Sequence, residues 1–483
     1  MRLADLFEYF RSKLFRKRAA EPINTYQISV NLETASAAAF ADSVQADFEA
    51  TLKSVVDIPS VSVDPAHKAD ITRMAERAAE LLRSIGARAQ IIATAGNPVV
   101  YGEIILDPKN PTVLIYNHID VQPAESGEWL NEPFNMTIKD GVYHGRGTTD
   151  DKGPAMVALF GAKYAVEHKI PVNIKFAWEL EEEIGSPSFR EFLVNNAELL
   201  KCDSVVISDT IWVSRDRPAI PYGLRGLQGF TLRLTTGAKD VHSGTTGGLA
   251  RNPIGELCKL IDQCYDAQTG KVKIPGFYAD VQAPSQDELD NFVGSGFSVE
   301  RFRTAHELKS LRTDDPEQAA RRIWALPTFE VHGITGGYSG PGIKTIVPHA
   351  AEAKISMRLV PNQDPDKVAE IFTRFVNKMN PDVEVVRLDA LRPYLGEYSG
   401  PYNQAAQQAM FAAFGKQPAY TREGGSIGAC LSMSQVLEKP IVFLGLSLPE
   451  HGYHAINENF DWQQARGGIQ MWIHYFTLLS QAK

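Results

Sequence analysis

At 483 residues, 44% of them hydrophobic, the chain is long enough for two domains that each bury a core. Its formal charge of −9, with no basic stripe of the size that phosphate binding needs, excludes nucleic acid as a partner. Four cysteines, Cys202, Cys258, Cys264 and Cys430, form no CxxC pair. They read as small buried hydrophobes of a reducing, cytoplasmic compartment and leave metal ligation to His, Asp and Glu.

The first 39 residues form a separate extension. "MRLADLFEYFRSKLFRKRAA" sets Leu3, Leu6, Phe7, Phe10 and Leu14 on one helical face, with Arg11, Lys13, Arg16, Lys17 and Arg18 clustered behind. Such a helix packs on the domain or on a second subunit, or lies weakly on an anionic membrane surface. It lacks the continuous apolar core of a secretory signal, and no run in the chain approaches the roughly 18 apolar residues of a membrane span.

Residues 40–222 alternate helical stretches ("ADITRMAERAAELLRSIGA", "GPAMVALFGAKYAVEHK", "SFREFLVNNAELL") with short apolar strands ("TVLIY", "NIKFAWEL", "DSVVISD"). That alternation predicts an α/β catalytic domain: one open, mostly parallel sheet with helices on both faces. Near residue 223 the texture changes. "LRGLQGFTLRLTTGAKDVHSG" reads as antiparallel strands, "IGELCKLIDQCYD" as a helix, and a polar stretch with acidic clusters leads to further strands. Strand "AKISMRLV", helix "DKVAEIFTRFVNKM" and strand "VEVVRLDA" complete an α+β unit over 223–398. From 399 to 483 the α/β texture resumes, with helices "NQAAQQAMFAAF" and "SIGACLSMSQVL", strand "PIVFLGL" and a final helix "WQQARGGIQMWIHYFTLLS". The middle unit is therefore an insertion.

In an open α/β sheet, ligands bind beyond the carboxyl ends of the strands. His118 and Asp120 follow "TVLIY", Glu181 to Glu183 follow "NIKFAW", Asp209 follows "SVVIS", and His454 follows "PIVFLGLSLPE". Asp150 lies in the glycine-rich "GRGTTDDKG", just before a helix. Singly, each has an ordinary explanation: a loop histidine, a helix cap, a solvated acidic turn. Together on one rim, so many carboxylates would repel one another unless a cation held them. Two histidines and several carboxylates without thiolate suit a pair of divalent ions such as zinc, cobalt or manganese. One carboxylate can bridge two such ions about 3.5–4 Å apart, and a further carboxylate can act as general base.

The stretches "YNHIDVQPA", "GRGTTDDKGP", "LEEEIGS", "VISDT", "DVHSGTTGG", "SMRLVPN", "REGGSI" and "YHAINE" together resemble the zinc metallopeptidase family of carnosinases, cytosolic non-specific dipeptidases, glutamate carboxypeptidases and desuccinylases. They occur in that family's order from about residue 45 onward, and "HIDVQPA", "KDVHSG" and "SGPGIKTIVP" resemble most the carnosinase and cytosolic dipeptidase branch. The resemblance implies two zinc ions per subunit, with manganese or cobalt as alternatives. Asp150 would bridge them, with His118 and Asp209 on one ion and Glu183 and His454 on the other. Asp151 would not be a ligand. With the triplet anchored on "EIGS", Glu182 would be the general base. Asp120 would orient His118. In the inserted lid and dimerisation domain, His242 would reach a partner subunit's site and stabilise the oxyanion. Arg358 would clamp the substrate's carboxylate, and Gly424, Gly425 and Ser426 would supply donors to the same carboxylate or to the scissile region. The basic extension has no counterpart in this pattern.

The function implied is a homodimeric exopeptidase for dipeptides or short peptides with a free C-terminal carboxylate. Three alternatives stay open: a deacylase of N-acyl amino acids using the same site, a non-catalytic interaction protein on the same fold, and a two-metal phosphatase. The last explains neither Arg358 nor "GGS".

Overall fold

The computed structural model describes residues 34–481, so the amphipathic reading of residues 3–18 falls outside the described residues. The central sheet has six strands. Their order is Arg88–Ile92, Val99–Ile104, Asn173–Glu179, Thr112–His118, Ser204–Ile207 and Ile441–Phe443. The last four run parallel, and the first two add antiparallel edges.

Burial on both faces explains the run-like strand sequences. All seven residues of Asn173–Glu179 are buried, so polar alternation disappears. On one face Leu114, Tyr116, Val205 and Ile207 pack with Phe189 and Phe192 of helix Phe189–Asn195 and Met433 of helix Gly428–Leu437. The opposite face is covered by helix Lys152–Glu167, which packs in turn on the C-terminal helix Trp462–Gln481. These two helices meet at Gly161, where a Cβ would stand 2.4 Å from the Trp472 side chain, so only glycine permits the approach. Helix Thr34–Ser43 also packs on the C-terminal helix, and Arg466 donates to both oxygens of Asp42.

His474 on that helix is 1% exposed and its Nε2 has no partner. Burial lowers its pKa to about 4. Between pH 6.5 and 4 the unfolded chain therefore binds a proton that the native state refuses, and stability falls as pH falls, by about 3 kcal/mol at most. His474→Leu is expected to flatten this part of the pH dependence, measured as the urea unfolding free energy of both proteins at pH 7 and pH 4.5.

A second sheet orders strands Glu330–Gly336, Ala350–Leu359, Gly226–Thr235 and Val383–Leu391, all antiparallel. Strand Ala350–Leu359 alternates buried and less buried positions, the period-two pattern of a one-sided sheet. Its inward residues Ile355, Met357 and Leu359 pack with Phe230, Leu232 and helices Pro253–Cys264 and Pro365–Met379. Both helices open with a side-chain cap, Asn252 or Asp364, followed by proline in the first turn.

Two sequence expectations are corrected. The polar stretch after residue 285 contains three short helices, Gln286–Gly294, Val299–Ala305 and Pro316–Trp324, capped by Ser285, Ser298 and Asp315. Phe292, Ala320 and Trp324 give them a small core of their own. Cys258 is exposed, not buried, although the other three cysteines are buried and all four are free thiols.

Candidate metal centre and active site

The candidate ligands gather at the carboxyl ends of the parallel strands, where such a sheet leaves its crevice. Strand Thr112–His118 ends on His118, and strand Ser204–Ile207 leads to Asp209. Strand Asn173–Glu179 runs into a short turn, Glu182–Ile184, closed by Gly185 at φ 87°, a left-handed conformation suited to glycine. Asp150 precedes helix Lys152–Glu167, and His454 follows strand Ile441–Phe443. The backbone at His454 is itself left-handed, φ 54°, which costs a non-glycine residue roughly 1–2 kcal/mol.

Two triads share one carboxylate. His118 Nε2 lies 2.9 Å from Asp150 Oδ1 and 3.8 Å from Asp209 Oδ2. His454 Nε2 lies 3.1 Å from both Asp150 Oδ2 and Glu183 Oε2. Within each triad the ligand atoms are all less than 4.8 Å apart. Glu181 turns away, accepting from the Asn97 and Ser188 amides, so the triplet's register puts Glu183 against His454.

Electrostatics tests whether cations fit. Burial pushes Glu182 well above the usual carboxyl value, and Asp209 up to about 6. Burial opposes charge on His118 too, yet Asp120 and Asp150 raise it well above the ordinary imidazole value. His454 is raised to about 11: burial opposes this, and Asp150 and Glu183 outweigh it. Carboxyls that resist ionisation and imidazoles that hold protons describe a cluster short of positive charge. Asp150 Oδ2 is buried and accepts no aligned hydrogen bond. Two oxygen- and nitrogen-ligated divalent ions fit this donor set.

The supporting contacts are specific. Asp120 accepts from the Glu182 amide at 3.2 Å and the Glu183 amide at 3.1 Å, and its backbone carbonyl lies 3.1 Å from His118 Nδ1. It thus joins the histidine to the glutamate turn, more than orientation of His118 alone. Asp151 accepts from Asn117 Nδ2 and the His118 amide, which keeps it out of both triads. Asp120→Asn is expected to weaken cation affinity about 10- to 100-fold, the usual effect of losing such a partner, read by chelator competition.

Sequence reasoning missed other positioning residues. Glu458 is fully buried and accepts from the amides of Gly147, Thr149 and Asp150 and from Arg146, clamping the loop that presents Asp150. Gln122 donates to Glu183 at 2.8 Å, and Tyr453 to Asp209 at 3.0 Å. Glu458 and Gln122 lie inside "YHAINE" and "YNHIDVQPA", so position within those stretches was the available signal.

The candidate substrate residues form a second cluster. Arg358 donates to Ser426 Oγ at 2.9 Å, and Ser426 bonds the Arg225 carbonyl. Arg225, unremarked in the sequence, donates to the Gly424 carbonyl at 2.9 Å and through its amide to Gly425 at 3.1 Å. Burial, with the charge of Arg358 beside it, pulls Arg225 down to about 10. Neither guanidinium forms an ion pair among the described residues. His242 stands apart: it is exposed, and its Nδ1 accepts from the Gly244 amide.

Sequence comparison agrees with this architecture. A family model described as peptidase family M20/M25/M40 matches residues 114–477, and the chain belongs to that family. It is a hydrolase of the metallopeptidase class. It is 31% identical over 467 residues to Beta-Ala-His dipeptidase of Homo sapiens, covering 92% of each chain. It is 32% identical over 461 residues to the Cys-Gly metallodipeptidase dug1 of Schizosaccharomyces pombe, covering 90% of this chain and 96% of that one. The crystal structure of the M20 family metallo-carboxypeptidase Sso-CP2 from Sulfolobus solfataricus superposes with a TM-score of 0.83 at 32% identity, covering 90% of this chain and 99% of that one.

Proposed function

We propose that the protein hydrolyses dipeptides or short peptides with a free C-terminal carboxylate. The observation that carries this reading is the sharing of Asp150 between two ligand triads, with Glu182 beside them. Held by His118, Asp209, Asp150, Glu183 and His454, a pair of divalent ions, zinc before manganese or cobalt, supplies Lewis acidity and lowers the pKa of water.

The chain's own groups do the rest. Glu182 accepts a proton from the attacking water, whose oxygen bonds to the scissile carbonyl carbon. The C–N bond then breaks as Glu182 returns that proton to the leaving nitrogen, and the second proton of the water passes from the new carboxyl group to the amine, releasing a carboxylate and an ammonium group. Arg358 and Ser426 hold the substrate's terminal carboxylate, a task suited to paired guanidinium donors, and the Gly424–Gly425 backbone donates at the scissile region. His242, supplied by a second copy, donates to the developing oxyanion. Its exposure and its distance in bonding from the triads support delivery between subunits rather than within one.

In this reading, residues 223–398 act as lid and dimer contact for a catalytic body made of 40–222 and 399–483. Four free thiols suit a cytoplasmic setting. No described helix is long and apolar enough to cross a membrane. A panel of free dipeptides set against N-acetyl and N-succinyl amino acids tests the assignment: turnover of the dipeptides is expected, and turnover confined to the acylated set overturns it in favour of a deacylase.

A further inference from the structure

A cavity of about 780 Å3 opens beside Asp209, and neither triad uses it. Its apolar wall is formed by Trp212, Phe297, Phe302, Ile323 and Trp324. The wall is fixed by its own packing. The ring of Phe297 stands edge-on to Trp324 at 5.6 Å and lies 5.5 Å from Phe302. The Trp212 indole donates to the Gly445 carbonyl at 2.7 Å and stands edge-on to Phe414. Helices Val299–Ala305 and Pro316–Trp324 supply Phe302, Ile323 and Trp324, and the neighbouring helix Gln286–Gly294 is anchored by Glu288, which receives both Arg422 and the Tyr222 hydroxyl.

The mouth places the cavity within the active site. Tyr453 lines it and donates to Asp209, and Gly424 and Gly425 line it next to the Arg358–Ser426 pair. Charge decides which end of a peptide enters. Glu307, Glu423 and Glu450 line the cavity, whereas its one arginine or lysine, Arg422, is spent on Glu288. Glu450 pairs with Arg215 at 3.3 Å, Glu423 accepts from the Ile211 and Gly424 amides beside the Arg225 charge, and Glu307 is exposed with no ion pair among the described residues. The lining therefore offers a substrate carboxylate no free guanidinium or ammonium group, and Arg358 does not line the cavity, so the carboxylate stays at the Arg358–Ser426 pair and the amino-terminal residue faces the cavity.

We propose that the cavity receives the side chain of the substrate's amino-terminal residue and selects a large aromatic one. The assignment rests on the dipeptidase reading above. Cavities of roughly 300–1,000 Å3 enclose whole small ligands, so a glycyl or β-alanyl residue leaves this one filled by water. A benzyl or indole side chain meets Trp212, Phe297 and Trp324, whose edges and faces favour aromatic neighbours.

The test measures kcat/KM on the metal-loaded full chain for Gly-Ala, Ala-Ala, Leu-Ala, Phe-Ala and Trp-Ala, with N-acetyl-Phe and N-acetyl-Ala alongside. Phe-Ala is expected to exceed Gly-Ala by about 50-fold or more, within the range hydrophobic pockets reach. Two variants address the wall from opposite directions: Phe302→Ala removes a ring, and Ile323→Trp fills space. Each is expected to lower the Phe-Ala to Gly-Ala ratio at least about tenfold. A flat dipeptide series, or a ratio unchanged in both variants, overturns the pocket assignment while leaving the dipeptidase reading intact. Turnover of the N-acetyl compounds alone overturns the dipeptidase reading and this assignment with it.

Discussion

Glu182→Ala is expected to keep both cations and to lower kcat/KM by about two to four orders of magnitude, the span that a positioned general base supplies. Its amide is held by Asp120 at 3.2 Å, so the turn survives loss of the side chain. Neither ligand triad includes it. Elemental analysis and steady-state kinetics on the same preparation check the two halves of the statement. A rate near wild type removes Glu182 from proton transfer, and loss of metal moves it among the ligands. Glu182→Asp shortens the reach by one methylene and is expected to recover only part of the rate, because proton transfer requires hydrogen-bond distance.

Asp150→Ala is expected to have the other large effect, here on occupancy. The residue contributes one oxygen to each triad, Oδ1 toward His118 and Oδ2 toward His454. Its removal leaves His118 with Asp209 on one side and Glu183 with His454 on the other, two donors each. Metal per subunit should fall from two toward zero, and peptide hydrolysis to background. Asp209→Ala, which strips one triad only, should retain about one ion. Equal occupancy in the two variants would mean that Asp150 does not serve both ions.

Much of this was legible in the chain because strand ends and helix starts carry their own marks. The run "TVLIY" is apolar since the strand is covered on both faces, so the polar residues just after it had to lie at the rim. The same reasoning found Asp209 and His454 independently. Glu458 stayed hidden for a physical reason: its partners are backbone amides of Gly147, Thr149 and Asp150, some 308 to 311 residues away, and an amide leaves no trace in side-chain identity. Arg225 was hidden likewise, since it bonds glycine backbone on a distant strand end. The helices between 286 and 324 run only seven to nine residues, too short for the periodicity that exposed the longer ones. Cys258 shows the limit of composition: on helix Pro253–Cys264 the core is filled by Leu257, Leu260, Ile261 and Cys264, and the thiol at 258 falls on the outer side.

The scatter of these donors along the polypeptide dictates when the centre can come into being. His118 and Asp150 emerge from the ribosome hundreds of residues before His454 and Glu458 do. A nascent chain halted before His454 thus owns one complete triad, half of the other and an unclamped loop. The second triad is therefore the last part of the centre to form, and the share of molecules in a preparation that carry two ions instead of one should gauge how many have docked residues 399–483.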